Sequence, residues 1–372
     1  MDTAPKKILY TASTAGHLRS FHLPYLRALA ERGFAVTAAA AGDGEGLPEG
    51  VAFLPVPFTK HMASPRNLRA TAILARAIRA ERYDGIVTHT SLAAFFTRLA
   101  VMLAGKKNAR VVNTVHGYLF DAMSSPLRRS VMLLAEKLCA GVTDEILVMN
   151  REDLAIASKH RLCRGNVTLV PGMGVDLSRY APADAAARRA VRESLGIGQD
   201  AFVLSCAAEF SRRKNQELLI RSLPLLPEDT VLLLPGDGAL RQSCRALAEA
   251  LGLADRVFFP GQMADVRPAL AAADVYVSAS RSEGLPFAVM EAMGCALPCI
   301  LSYVKGHRDL LEGLDAGRLF PFGDAAALAA AAAELRSDPA LRAGMGARGR
   351  EAAARYGLET VFPVVFPHFT GI

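Results

Sequence analysis

The chain has 372 residues, 51% of them hydrophobic, with 43 Lys and Arg against 36 Asp and Glu, eight His and no Trp. A length of this order suits roughly two or three domains with a large core, and no uncharged apolar run reaches the roughly 18 residues of a spanning helix. The basic residues are dispersed without an aromatic platform, which argues against a nucleic-acid binder, and cysteines at 139, 163, 206, 244, 295 and 299 complete no zinc pattern.

The chain opens on Met-Asp-Thr-Ala-Pro-Lys-Lys and runs straight into strand-like residues, with no signal peptide. A cytoplasmic protein with reduced thiols is therefore expected. Predicted strands follow at Ile8–Ala12, Ala35–Ala39, Gly85–His89, Val111–Val115, Ile146–Met149 and Val167–Val170, with amphipathic helices such as Leu23–Arg32 and Leu68–Arg82 between them. Alternation of strand and helix predicts a parallel sheet covered on both faces. Pro-Gly-Met-Gly within Pro171–Tyr180 breaks regular structure and marks a joint. The alternation then resumes, with strands at Val203–Ala207, Val231–Pro235, Val257–Phe259, Val275–Ala279, Cys299–Leu301 and Arg318–Phe320, and helices such as Gln216–Pro224, Leu240–Leu251 and Val266–Ala272. The Ala-rich stretch Ala325–Leu335 reads as a helix of a soluble domain, and Tyr356–Ile372 as an apolar, aromatic one.

Charge is uneven along the chain. Residues 1–180 hold 23 Lys and Arg against 14 Asp and Glu, and the remainder 20 against 22. A basic first half suits either an anionic surface or substrate, or plain solubility. Tyr118–Arg129 mixes apolar residues with Arg128 and Arg129. If exposed it would dip into a membrane surface; otherwise it is a helix start packed in its domain.

The most informative segment is Ser280–Gly294, in which Glu283 and Glu291 lie eight positions apart. Glu283 stands in a loop after an apolar strand, and Glu291 within the helix that follows. Gly284 lets a ligand approach the backbone, and Pro286 suits the first helical turn. The N–H groups and positive end of the new helix then face the loop. Together they offer an anion seat and two acceptors for hydroxyls. Lys214 follows the Val203–Ala207 strand and can neutralise a diphosphate as a point charge. Pro235-Gly236-Asp237-Gly238 ends the next strand.

These segments resemble the Glu-x7-Glu signature and flanking loops of retaining, family-four-type glycosyltransferases (group 1), in particular those that extend lipid-linked sugars in capsule and exopolysaccharide synthesis. The likeness runs from Lys7 to about Gly323. It implies an α/β GT-B fold of two Rossmann-like domains facing across a cleft, with ligands beyond the carboxyl ends of the strands. The expected division is an acceptor-binding domain at 1–172, a nucleotide-sugar-binding domain at 178–355, and a final helix, 356–372, crossing back to the first.

On the donor side the resemblance assigns the phosphates to Lys214, with Glu209 where many members carry an Arg, so that Arg213 or Arg212 is left as the second cation. It assigns a loop near the nucleotide to Gly236, the base to the run ending in Gly261, Gln262 and Met263, the ribose to Glu291, and the sugar to Glu283 with the backbone of Gly284, Leu285, Pro286 and Phe287. His307 and Arg308, in the loop after the next strand, read as structural. In the first half His116 matches a histidine that contacts the donor sugar. Gly16 is what remains of a Gly-Gly pair, and His17 reaches either diphosphate or is structural. Lys60, Tyr118 and Arg128 join His17 as acceptor-side candidates. Catalytic weight falls on His116, Lys214 and Glu283. The implied reaction is same-face, retaining transfer from a nucleotide sugar, UDP-linked by family habit, to a polyprenyl-diphosphate glycan. No cofactor is implied and no metal, since the loops hold no Asp-x-Asp pair. Peripheral attachment to the inner face of the plasma membrane is compatible. A catalytically silent scaffold of the same fold, or an epimerase using the same site, are the competing readings.

Overall fold

The computed structural model describes residues 4–105, 108–121 and 124–371. Residues 122 and 123 of the mixed segment, and the two chain ends, lie outside that set. Contacts divide the chain into two units: Met1–Gly174 with Glu359–Ile372, and Val175–Leu358.

The first unit holds seven parallel strands: β1 Lys7–Thr14, β2 Ala35–Ala41, β3 Val51–Pro55, β4 Gly85–His89, β5 Arg110–Val115, β6 Glu145–Val148 and β7 Val167–Leu169. Their order is β3-β2-β1-β4-β5-β6-β7. Strand β3 escapes the sequence reading. It is an edge strand with no buried residue, and its apolar run is punctuated by Pro55 and Pro57, which count against a strand in a sequence reading and are tolerated at a sheet edge. The inner strands β4 and β6 are buried at every position.

The final helix, Leu358–Thr370, packs on this unit. Phe369, 1% exposed, meets the rings of Tyr10 at 5.9 Å and His89 at 5.7 Å. Arg110 donates to the carbonyl of His368 at 2.9 Å and pairs with Glu145 at 2.5 Å. His368 Nδ1 lies 2.8 Å from the other oxygen of Glu145.

The second unit holds six parallel strands: β8 Phe202–Ser205, β9 Thr230–Pro235, β10 Val257–Gly261, β11 Val275–Ser278, β12 Cys299–Ser302 and β13 Gly317–Phe320. Their order is β10-β9-β8-β11-β12-β13. Its helices start where short polar side chains can cap them: Asp184, Asp324 and Asp338 each accept a backbone N–H three residues on. The core joins Phe202, Leu204, Leu232, Leu234, Val275, Val277 and Ile300 of the sheet to Leu328, Ala332 and Leu335 of the Ala-rich helix Ala325–Ser337.

Candidate active site

In each sheet the chain leaves one strand toward one edge and later returns to pair on its other side. In the second unit this reversal falls between β8 and β11, and such a point opens a crevice at the strands' carboxyl ends. Lys214 lies on the loop after β8 and Glu283 on the loop after β11, so the reversal itself brings them together.

The loop after β8 is held from both sides. Toward β9, the N–H of Ala208 donates to the carbonyl of Pro235 at 3.1 Å, and that of Phe210 to Asp237 at 2.9 Å. The approach is close enough to require glycine. A Cβ on Gly236 (φ +142°) would lie 2.1 Å from the Ala208 oxygen. Toward β11, the N–H of Arg281 donates to the Arg213 carbonyl at 2.8 Å, Arg281 Nε to the Arg212 carbonyl at 3.0 Å, and Asn215 Nδ2 to the Ala279 carbonyl at 3.2 Å.

Glu283 is 7% exposed. Its Oε1 lies 2.7 Å from Lys214 Nζ and its Oε2 2.8 Å from Arg213 Nη1. Burial alone would raise its pKa, but Lys214 first and Arg213 second override burial and hold the carboxyl at about 2. The Lys214 side chain is 15% exposed and that of Arg213 50%, so Lys214 is the enclosed cation and Arg213 the one water screens. Arg212 is exposed and contributes only its carbonyl.

Gly306 presses on the same loop. Its N–H donates to the Glu283 carbonyl at 3.3 Å, and a Cβ there would stand 2.4 Å from the Gly284 oxygen. His307 is fully buried, with Nδ1 2.9 Å from the Ser302 carbonyl. Burial lowers its pKa to about 4, so the ring is neutral at pH 7. Its Nε2 is buried with no hydrogen-bond partner among the described residues.

Glu291 lies on the helix Phe287–Gly294. Pro286, extended at ψ 116°, is the residue just before this helix and not part of its first turn. Gly284, Leu285 and Pro286 are buried and Phe287 half-buried. Glu291 is half-buried and hydrogen-bonded to Tyr180, and burial raises its carboxyl pKa. Tyr180 went unread in the sequence because it lies in the joint segment, far along the chain from its partner.

Beside these groups is a recess of about 430 Å³ walled by residues 207–209, 235–237, Gln262, Met263, Val266, Ala288 and Glu291. Thus Glu209, Gly236, Gln262, Met263 and Glu291 share one wall, with Gly261 (φ +88°) leading into it. The volume suits a ligand of nucleotide size. Glu209 itself is exposed.

In the first unit the reversal falls between β1 and β4, and it gathers histidines. His17 and His22 follow β1, His89 ends β4 and His116 follows β5. His22 Nδ1 lies 2.9 Å from Tyr10 Oη, and His89 Nδ1 lies 3.2 Å from His116 Nε2. Ring centroids are 4.3 Å apart for His22 and His89 and 5.3 Å for His17 and His116. Burial first, with the neighbouring imidazoles after it for His22, His89 and His116, keeps these rings neutral, His17 down to about 4.

Gly16 sits beside His17 on the short helix Ala15–Phe21, whose cap Thr14 accepts the His17 N–H at 3.1 Å. The remaining acceptor-side candidates are dispersed. Lys60 is exposed on a loop that the buried Asn67 pins through Thr59 and His61 at 2.9 Å each. Tyr118 is buried, stacked on Phe120 at 5.3 Å. Arg128 donates to the Leu119 carbonyl at 2.7 Å.

Two Rossmann-like parallel-sheet units, each with its polar groups at the strands' carboxyl edge, define the GT-B class. The chain belongs to the group 1 glycosyltransferases. Residues 187–352 match the family Glycosyl transferases group 1 and residues 23–172 a Glycosyl transferase 4-like domain. EpsD of Bacillus subtilis, assigned as a glycosyltransferase, is 32% identical over 94% of this chain and 93% of its own. The Escherichia coli UDP-Gal:alpha-D-GlcNAc-diphosphoundecaprenol alpha-1,3-galactosyltransferase is 28% identical over 73% of this chain and 71% of its own. Among solved structures, Anabaena HepE in complex with UDP and glucose matches with a TM-score of 0.80 at 20% identity, covering 99% of this chain and 100% of HepE. That likeness is one of fold.

Proposed function

We propose that this glycosyltransferase moves a hexosyl group from a UDP-sugar to a glycan carried on polyprenyl diphosphate, with retention at the anomeric carbon and no metal at the donor diphosphate. The observation that carries the reading is the enclosed Lys214–Glu283–Arg213 cluster at the sheet reversal, beside the start of the helix bearing Glu291. Support for the donor and acceptor classes comes from the E. coli relative, whose name specifies UDP-Gal and a diphosphoundecaprenol-linked sugar, and from HepE, solved with UDP.

In this reading Lys214 and the positive end of helix Phe287–Gly294 take the negative charge of the departing diphosphate. Glu283 holds the sugar hydroxyls and Glu291 the ribose, and His116 keeps the sugar-contacting role that the resemblance implies for it. The bond from the anomeric carbon to the diphosphate oxygen breaks, and its electron pair leaves with UDP. The acceptor oxygen bonds to the same face of that carbon and gives its proton to the leaving diphosphate. No helix of the described residues is long and apolar enough to cross a membrane. We place the protein in the cytoplasm, attached peripherally through its first unit.

The test is transfer to a polyprenyl-diphosphate-linked acceptor across a panel of nucleotide sugars. Glu283→Gln and Lys214→Ala should each lower kcat by about 10²–10³-fold, with circular dichroism unchanged. Wild-type rates in both variants would overturn the assignment. Absence of both transfer and any thermal stabilisation by nucleotide sugars in the wild type would favour a silent scaffold.

A further inference from the structure

Four imidazoles meet in the first unit, and Nε2 of His17, His22 and His89 are buried there with no hydrogen-bond partner among the described residues. Leaving such atoms unpaired is costly, so a cluster of them calls for a ligand. His17, His22 and His116 each offer a ring nitrogen within 4.8 Å of the other two. His22, fully buried, is poised as a metal ligand is: its Nδ1–H can donate to Tyr10 Oη at 2.9 Å, which leaves the Nε2 lone pair free. His89 Nδ1 holds the His116 ring at 3.2 Å. His17 and His116 are only partly buried, which gives an ion a way in.

We infer that His17, His22 and His116 form a three-nitrogen site for a divalent transition metal of borderline softness, zinc above all. The donor set contains no carboxylate, so magnesium and calcium do not suit it. A tetrahedral zinc with Zn–N of about 2.0–2.1 Å needs nitrogens roughly 3.3 Å apart. The three ring nitrogens, within 4.8 Å of one another, therefore close by side-chain rotation when the ion binds. The fourth position is left for water. The expectation of a metal-free chain came from cysteine spacing and the lack of Asp-x-Asp; neither tests for histidines delivered by the segments after two different strands, β1 and β5. An ion here would occupy His116 and so inhibit transfer. That consequence rests on the role proposed for His116, whereas the binding does not.

The decisive experiment titrates the full chain with Zn²⁺ against a chromophoric chelator and records the absorption of the Co²⁺ form. One ion per chain is expected, with nitrogen-ligand d–d bands and no thiolate charge-transfer band, and binding at least about tenfold weaker in both His17→Ala and His22→Phe. His17→Ala alters an only partly buried side chain and keeps the test open should the buried variant fail to fold. Absence of zinc uptake, equal uptake by His17→Ala, or a thiolate band would overturn the site. Zinc is expected to inhibit any transfer the wild type shows. Binding without inhibition would refute only the part assigned to His116.

Discussion

Glu283 occupies a place that would keep an isolated carboxyl neutral, yet it is ionised because two cations converge on it. Its carboxyl titrates near 4.5 when unfolded and at about 2 when folded. The stability this difference supplies is therefore complete above about pH 4.5 and is lost as pH falls through about 2. Its size is on the order of 3 kcal/mol, with Lys214 the larger contributor because half-exposed Arg213 is screened. In Glu283→Gln the urea midpoint should fall less between pH 4.5 and 2 than in the wild type; parallel curves would remove the ion-pair account. The meeting of Lys214 and Glu283 was legible in the sequence because each lies in a loop after a recognisable strand, and Glu291 because a helix follows the second loop. Tyr180, His22 and His89 were not. Each matters only through a neighbour that tertiary folding brings to it, and no local pattern records that.

At the scale of single elements, the helix Pro126–Ala140 presents an apolar face with no described neighbour covering it. Leu127, Val131, Leu134 and Leu138 are 75%, 47%, 69% and 52% exposed, and their steps of four, three and four place them on one stripe. The opposite face is anchored by Glu136, bound at 2.9 Å to the fully buried Arg98. Burial first, and then Lys137, Lys159 and Arg129, lower the His160 pKa, so basic charge gathers near this helix. On the peripheral attachment proposed above, this stripe and the basic residues near it would be what meets an anionic bilayer. The sequence left two readings of Tyr118–Arg129 open, and the structure divides them by residue: Tyr118 and Phe120 are buried, whereas Leu119 and Leu127 face solvent. Leu127→Ser with Leu134→Ser should weaken co-sedimentation with phosphatidylglycerol vesicles by about a hundredfold or more, since each inserted Leu contributes roughly 1.5 kcal/mol or more. Wild-type sedimentation by the double variant would exclude this helix as the contact.

Over the whole molecule, strands buried on both faces were legible as short apolar runs. The final helix shows a different dependence, because its residues follow the second unit in sequence but pack with the first. Phe369 is the hinge of that dependence: it is buried, and it backs Tyr10 and His89, which in turn position His22 and His116. Replacing it by Ala removes a core aromatic and leaves a void, at a cost of about 3–5 kcal/mol. For a unit of this size that lowers Tm on the order of 10 °C. The loss belongs to the first unit alone, since Val361, Val365, Phe366 and Phe369 are the buried side chains of this helix and the second unit has its own core. Calorimetry of Phe369→Ala should therefore show one transition moved down and a second near its wild-type position. If the second unit holds the donor as proposed, addition of a nucleotide sugar should raise the second, because ligand stabilises the folded unit that binds it. A single transition shifted as a whole would mean that the two units unfold together. In that case the final helix supports the entire chain and not one half of it.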